Sequence, residues 1–437
     1  MKISRLLRSK NIRNSMWIVG DQVFRVLINM VVNVLSARYL GPSGYGLLSY
    51  TASFVSFSLS IAGLSMDGVI LKRMIQEPER EGEYLGSCAF FRLIASVLTI
   101  ISITVIVGAL NPGEPLTWML AFFQSLELLF LPLLILEAWF QRHLRSRFVS
   151  VGRVLASLAV SSYKIFLLAT GKSILWFAFS ELFVNMILSG VLFYFYRKEH
   201  GQPLRVSRGA GMKVLAESYH YILSNLMVSI YTQMDKIMIG QMLTDKDVGL
   251  YTTAIAVCGT WVFIPKSIVT SFRPTIMELK SSGDEEMYRL RLSQLYSAII
   301  WMCIAASVVM CIFGKLVIQI LYGEQFIGAL EPLRIAIWFE TFALIGTLRG
   351  IWILCEDKSR YVKYYLGIGA VVNLILNAVL IPRIGIAGAA WATLVTQIVT
   401  SMVSPLFFKG TRIHTKIVCE AFVLKWYWDA RRKACRK

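Results

Sequence analysis

The sequence predicts an all-α polytopic membrane protein of about twelve transmembrane helices, arranged as two six-helix lobes around a central cavity. Three observations carry that prediction. The 437-residue chain is 56% hydrophobic and 16% charged, with a mean hydropathy of +0.61; soluble globular chains carry about 25% charged and roughly 45–50% apolar residues. Apolar runs of about twenty residues recur from end to end, each enough to cross a hydrocarbon core of about 30 Å at about 1.5 Å per residue. Basic residues fall in alternate loops between these runs, as the positive-inside rule requires.

The runs lie at 15–37, 46–70, 84–110, 116–138, 149–169, 173–196, 216–242, 249–277, 291–320, 332–354, 360–381 and 386–408. Breakers separate them: Gly41-Pro42, Asn111-Pro112-Gly113, Gly171, Gly201 to Pro203, Ser281 to Gly283, Gly323 and Pro382. The first run is longer than a signal-peptide core and lacks a cleavage site of small residues, so it reads as an uncleaved helix. One set of loops and the two ends hold thirty-one Lys and Arg, whereas the intervening loops hold four: Arg38, Lys172, Lys246 and Arg383. That bias places both termini in the cytosol, which requires an even number of crossings. The domains expected are a first lobe at 1–200, a second at 201–408, and a basic tail at 409–437 that lies on the cytosolic leaflet as an amphipathic helix. A weak internal repeat supports the halves. Ala37 to Leu47 and Gly240 to Leu250 each join two runs through a leucine, a polar turn and a Gly-Leu, and six crossings restore the original orientation.

Composition also excludes function classes. The net charge of +19 is carried by short loops without an aromatic-interleaved groove, which argues against nucleic acid as a partner. The seven cysteines contain no C-x-x-C pair and read as reduced and structural, with no metal site. No catalytic motif appears, and the outer loops are too short for an extracytosolic catalytic domain, so a transporter is expected and not an enzyme. A polysaccharide polymerase would need such a loop.

Charge inside the spans points to the working parts. Asp21, Arg25, Arg92, Glu127, Lys164, Glu181, Asp235, Lys236, Lys266 and Glu340 lie well within apolar runs. Each costs about 2.5–3.5 kcal/mol at a lipid-facing helix centre, so they face protein or water. Arg25, Arg92, Lys164, Lys236 and Lys266 are the candidates for binding an anionic substrate. Asp21, Glu127, Glu181, Asp235 and Glu340 are the candidates for ion coupling or for pairing with those cations. Arg25 sits near the midplane and leads the set, with Asp21 one helical turn away. Arg153, Arg334 and Arg349 lie nearer span ends and read as snorkelling side chains.

The stretch Ala37 to Pro42 with Tyr45-Gly46, then Asp235 to Gly240, Leu321-Tyr322-Gly323, Asn373 and Asn377 to Pro382, and Gly385 to Thr393 together resemble the Wzx-type O-antigen flippases. These belong to the multidrug/oligosaccharidyl-lipid/polysaccharide (MOP) exporter superfamily. The resemblance covers nearly the full chain. It implies a MATE-like fold working by alternating access, with undecaprenyl-pyrophosphate-linked oligosaccharide as the substrate carried to the outer leaflet of a bacterial inner membrane. It further implies a proton or sodium gradient or the membrane potential as the drive, no cofactor, and a polysaccharide polymerase and chain-length regulator as partners. Related lipid II flippases use cavity arginines of the first lobe, where Arg25 and Arg92 are similarly placed. A cation-coupled drug exporter of the same superfamily is the alternative.

Overall fold

The structure is a computed structural model that describes the backbone of residues 10–426 and the side chains from residue 25. The described residues form helices and turns without a strand. Among the described residues, nine helical stretches are long and apolar enough to cross a membrane, and a tenth is bent by 44°. The difference from twelve has two causes. The first long helix, α1 (Lys10–Ala62), holds two expected spans in one run, broken where Gly41 takes φ 68° ahead of Pro42. The helix at 208–242 falls short in apolarity because Ser224, Asn225, Gln233, Asp235 and Lys236 interrupt it.

The chain divides into two compact units, Met1–Ser229 and Ile230–Lys437. The first contains α1, α2 (Asp67–Gln76), α3 (Glu81–Leu110), α4 (Pro115–Ser125), α5 (Leu131–Leu134), α6 (Leu136–Arg142), α7 (Ser146–Ala169), α8 (Ile174–Phe177), α9 (Ser180–Lys198) and the first part of α10 (Arg208–Met242). Met66, Ile70 and Met74 repeat every fourth residue and meet Tyr84, Leu85 and Cys88 of α3, Trp139 and Phe140 of α6, and Leu188, Leu192 and Tyr196 of α9.

The division falls inside α10, downstream of the 200/201 boundary drawn from the sequence, because residues 201–207 are bound to the first unit. Pro203 has no N–H and disfavours helix at Gln202, so this segment runs as an extended strap along α3. Arg205 N–H donates to the Gly82 carbonyl at 3.1 Å, and Gly82 N–H to Gln202 Oε1 at 3.0 Å. Ser207 N–H donates to Ser87 Oγ at 2.8 Å. A Cβ on Gly86 would stand 2.7 Å from the Arg205 nitrogen, so only glycine admits this approach. The start of α10 is then fastened to the α2 end by Lys213–Glu77 at 3.0 Å and by Arg73–Glu217.

The second unit holds the rest of α10, then α11 (Asp245–Gly259), α12 (Phe263–Ser281), α13 (Glu285–Leu321), α14 (Leu330–Cys355), α15 (Val362–Ile384), α16 (Ile386–Ile398) and α17 (Arg412–Phe422). Thr244 and Asp247 form a reciprocal capping box that starts α11. Helices α15 and α16 make a tight hairpin about Gly385, which takes φ 63°. Gly388 lets its backbone approach that of Leu380. A π-turn at Val399–Val403 continues α16.

Within the tail, residues 412–422 form a helix with one face turned onto protein. His414, Thr415, Val418 and Ala421 of α17 are buried. The Tyr296 hydroxyl lies 2.8 Å from His414 Nε2, and Ser297 Oγ donates to the Ala421 carbonyl at 3.0 Å. Residues 427–437 lie outside the described residues.

Candidate functional site

Two chambers, one mainly polar and one of mixed lining, lie inside the first unit, walled by α1, α4, α6, α7 and α9. The first, about 510 Å³, is lined by Arg25, Asn29 and Asn33 of α1, Glu137 of α6, Arg153 and Lys164 of α7, and Glu181 and Asn185 of α9. The second, about 240 Å³, shares Asn33, Lys164 and Glu181 and extends toward the Gly41 break through Tyr45, Ser49, Gln124, Glu127 and Phe177. On α1, Arg25, Asn29 and Asn33 recur every fourth residue, so one helix face supplies a polar wall. Arg153 Nη2 donates to Glu137 Oε2 at 2.6 Å. Lys164 Nζ donates to Asn33 Oδ1 at 3.2 Å, and Asn185 Nδ2 to Glu127 Oε2 at 3.2 Å.

Four sequence candidates therefore converge here: Arg25, Lys164, Glu127 and Glu181. The side chain of Asp21 lies outside the described residues, so its pairing with Arg25 has no structural account. Arg92 stands elsewhere. It is 3% exposed and donates to Asp67 Oδ1 at 2.9 Å, behind the α2–α3 contact and away from both chambers. Two residues were misplaced by the snorkelling reading. Arg153 turns inward onto Glu137. Arg349 is buried, bonded to the Thr400 carbonyl in the π-turn, with its guanidinium 4.8 Å from the Tyr365 ring centroid. Both reach inward because a buried acceptor or ring was available, which span position alone does not reveal. Glu137 lies near a span end, where sequence position alone does not single it out.

The second unit has its own polar centre. Asp235 of α10 is 3% exposed and accepts from the Tyr251 hydroxyl at 2.6 Å, from Asn377 Nδ2 at 2.6 Å, from Asn373 Nδ2 at 3.1 Å, and from the Thr393 hydroxyl. No Lys or Arg bridges it among the described residues. The hairpin explains the meeting: Asn377 and Thr393 each stand eight residues from Gly385 (385 − 377 = 8 and 393 − 385 = 8), so they face each other across it. These partners meet Asp235 through two amide N–H groups and two hydroxyls, while Asn377 Oδ1 is buried without a partner. Lys236, next along α10, makes no hydrogen bond or ion pair among the described residues. Lys266 of α12 is exposed and lies within electrostatic reach of Glu340 on α14.

The profile of the polysaccharide biosynthesis protein family matches residues 12–280, and the MatE profile matches 221–379. The chain is 22% identical over 387 residues to the probable low-salt glycan biosynthesis flippase Agl15 of Haloferax volcanii, covering 87% of this chain and 80% of that protein. It is 22% identical to the lipid II flippase MurJ of Bacillus subtilis, over 86% of this chain and 78% of the relative. Among solved structures, the inward closed lipid II flippase MurJ superimposes with a TM-score of 0.68 at 14% identity, covering 94% and 91% of the two chains. An inward-facing MATE transporter of the MOP superfamily gives 0.64 at 15% identity, covering 90% and 95%. The chain belongs to the polysaccharide biosynthesis protein family and has the helical fold of the MOP-superfamily transporters.

Proposed function

We propose that this chain is a flippase that moves undecaprenyl-pyrophosphate-linked oligosaccharide units from the cytosolic to the outer leaflet by alternating access, for O-antigen, capsule or exopolysaccharide. The observation that carries this reading is the pair of chambers within a membrane-spanning unit, with Arg25, Arg153 and Lys164 on their walls. A charged, sugar-bearing headgroup is too costly to pass through hydrocarbon unaided, whereas a polyprenyl tail stays in lipid. Arg153 holds Glu137 at rest; a pyrophosphate offers more oxygens to the same planar fork and competes for it. The relatives named as glycan and lipid II flippases support the substrate class. The bacterial inner membrane, cytosolic termini, and a downstream polymerase and chain-length regulator belong to the same proposal.

Coupling is assigned to Asp235. A carboxyl group held by two amide N–H and two hydroxyl donors, with no ion pair among the described residues, suits a proton, or a sodium ion if those amides turn their oxygens inward, and binding there would change how α10, α11, α15 and α16 are held together.

The experiment is complementation of a deletion strain at matched membrane abundance. Deletion is expected to strand glycan units on the cytosolic leaflet and remove surface polysaccharide. Arg25→Ala is expected to fail to restore it and Arg25→Lys to restore part, because an ammonium keeps charge but loses the fork. Asp235→Asn is expected to lose gradient-driven transport. Intact surface glycan with raised sensitivity to cationic dyes would favour the drug exporter, the reading to which the MatE match lends weight.

A further inference from the structure

The second chamber, on the Gly41 side of the cavity, holds more polar chemistry than packing requires. Gln124 is 8% exposed and anchors its amide on the Leu48 carbonyl at 3.1 Å, which leaves Oε1 buried without a partner. Ser180 is 3% exposed, and its Oγ is likewise unpartnered. Both line this chamber. A buried polar atom without a partner costs about 1–3 kcal/mol, and two such atoms belong to residues that line this one small chamber. The charged groups agree. Glu127 meets only the carboxamide of Asn185, Lys164 only that of Asn33, and Glu181 makes no hydrogen bond or ion pair among the described residues. These three ionisable groups share one chamber without forming a salt bridge among themselves. Two carboxylates that accept, an ammonium that donates, an amide oxygen and a free hydroxyl form a complementary set for a ring bearing several hydroxyls. Phe177 and Tyr45 add aromatic surface for the C–H face of such a ring.

We infer that this chamber is a subsite for a single neutral or N-acetylated pyranose, the sugar next to the pyrophosphate, and that it disfavours a uronic acid. The inference rests on the flippase reading and deepens it. Size sets the stoichiometry: about 240 Å³ is below the roughly 300–1,000 Å³ of ordinary small-molecule pockets, which suits one ring and not an oligosaccharide. Position sets which ring. Asn33, Lys164 and Glu181 border both chambers, so a headgroup whose phosphates meet Arg25 and Arg153 places its first sugar past Lys164. Charge sets the class. Two carboxyl groups, Glu127 and Glu181, stand there against one amine, Lys164, so a sugar carboxylate finds no base of its own.

The test uses the full chain in lipid nanodiscs and native mass spectrometry. The probes are undecaprenyl pyrophosphate, its N-acetylglucosamine derivative and its glucuronic acid derivative. The N-acetylglucosamine lipid is expected to bind at least about fivefold more tightly than the bare lipid, the scale of one or two net hydrogen bonds. The glucuronic acid lipid is expected to gain nothing. Ser180→Ala and Gln124→Met should each remove much of the sugar increment and leave bare-lipid binding in place. Ser180→Ala guards against misfolding, since its hydroxyl has no existing bond to lose. Equal binding of bare and glycosylated lipids overturns the subsite, as does an increment that survives Ser180→Ala or is matched by the glucuronic acid lipid. Failure to retain even the bare lipid would instead sink the flippase reading, and this inference with it.

Discussion

Single side chains in this protein act through how completely their polar atoms are met. His414 shows it outside the spans. It is fully buried against Tyr296 and Trp352, and burial, reinforced by the positive charge of Arg349, holds its imidazole down at about 3. An unfolded histidine titrates near 6.5, so between about pH 6.5 and 3 the unfolded chain binds the extra proton. Stability therefore falls as pH drops through that window and is insensitive to this group above it. The melting temperature of detergent-solubilised protein is expected to fall by several degrees from pH 7 to 4.5, with faster amide exchange across 412–422. His414→Gln should flatten the slope; an unchanged slope in that variant would locate the acid sensitivity elsewhere. Other residues divide by what the chain alone reveals. Arg25, Lys164, Glu127 and Glu181 were legible because charge in an apolar run is expensive and must face something polar. Arg92 obeyed the same rule with a structural partner, Asp67. Gln124 and Ser180 carry no charge to flag them, and only their unmet atoms mark them.

At the scale of elements, glycines decide where helices break and where backbones touch. Gly41 breaks α1, and Gly385 turns α15 into α16. The first break is marked in sequence by Gly41-Pro42, whereas at the second the sequence marks Pro382 and the positive φ falls three residues on, at Gly385, which lacks the Cβ that would disfavour it. The strap along α3 was not visible: residues 201–207 read as an ordinary loop, and nothing local announces that Gly82 and Gly86 receive it. Gly86→Val is expected to push the strap off. Overpacking costs about 1–3 kcal/mol, and the added Cβ meets backbone, which yields less than a side chain. Amide exchange at 201–207 should rise and the melting temperature fall, whereas Gly108→Ala, with open space at its Cβ, should change neither. Protection at 201–207 equal to the parent would show that the strap tolerates the added group.

For the whole molecule, the basic bias predicts sidedness. In a background without the native cysteines, single cysteines at the exposed positions Ser43 and Lys246 should react with an impermeant thiol reagent added to intact cells. Cysteines at Arg205 and Ser282, also exposed, should react only after the membrane is opened; the reverse pattern would invert the orientation. The sequence by itself determined that the chain spans a membrane many times, because apolar length and loop charge are additive properties that need no neighbours. It also determined which charges must be sheltered. Which of them meet was decided by tertiary structure alone. Asp235 finds Tyr251, Asn373, Asn377 and Thr393 only because four helices converge. The two chambers exist only because α1, α4, α7 and α9 set their polar faces toward one another. Helix rotation is fixed by packing, and packing depends on partners distant in the chain.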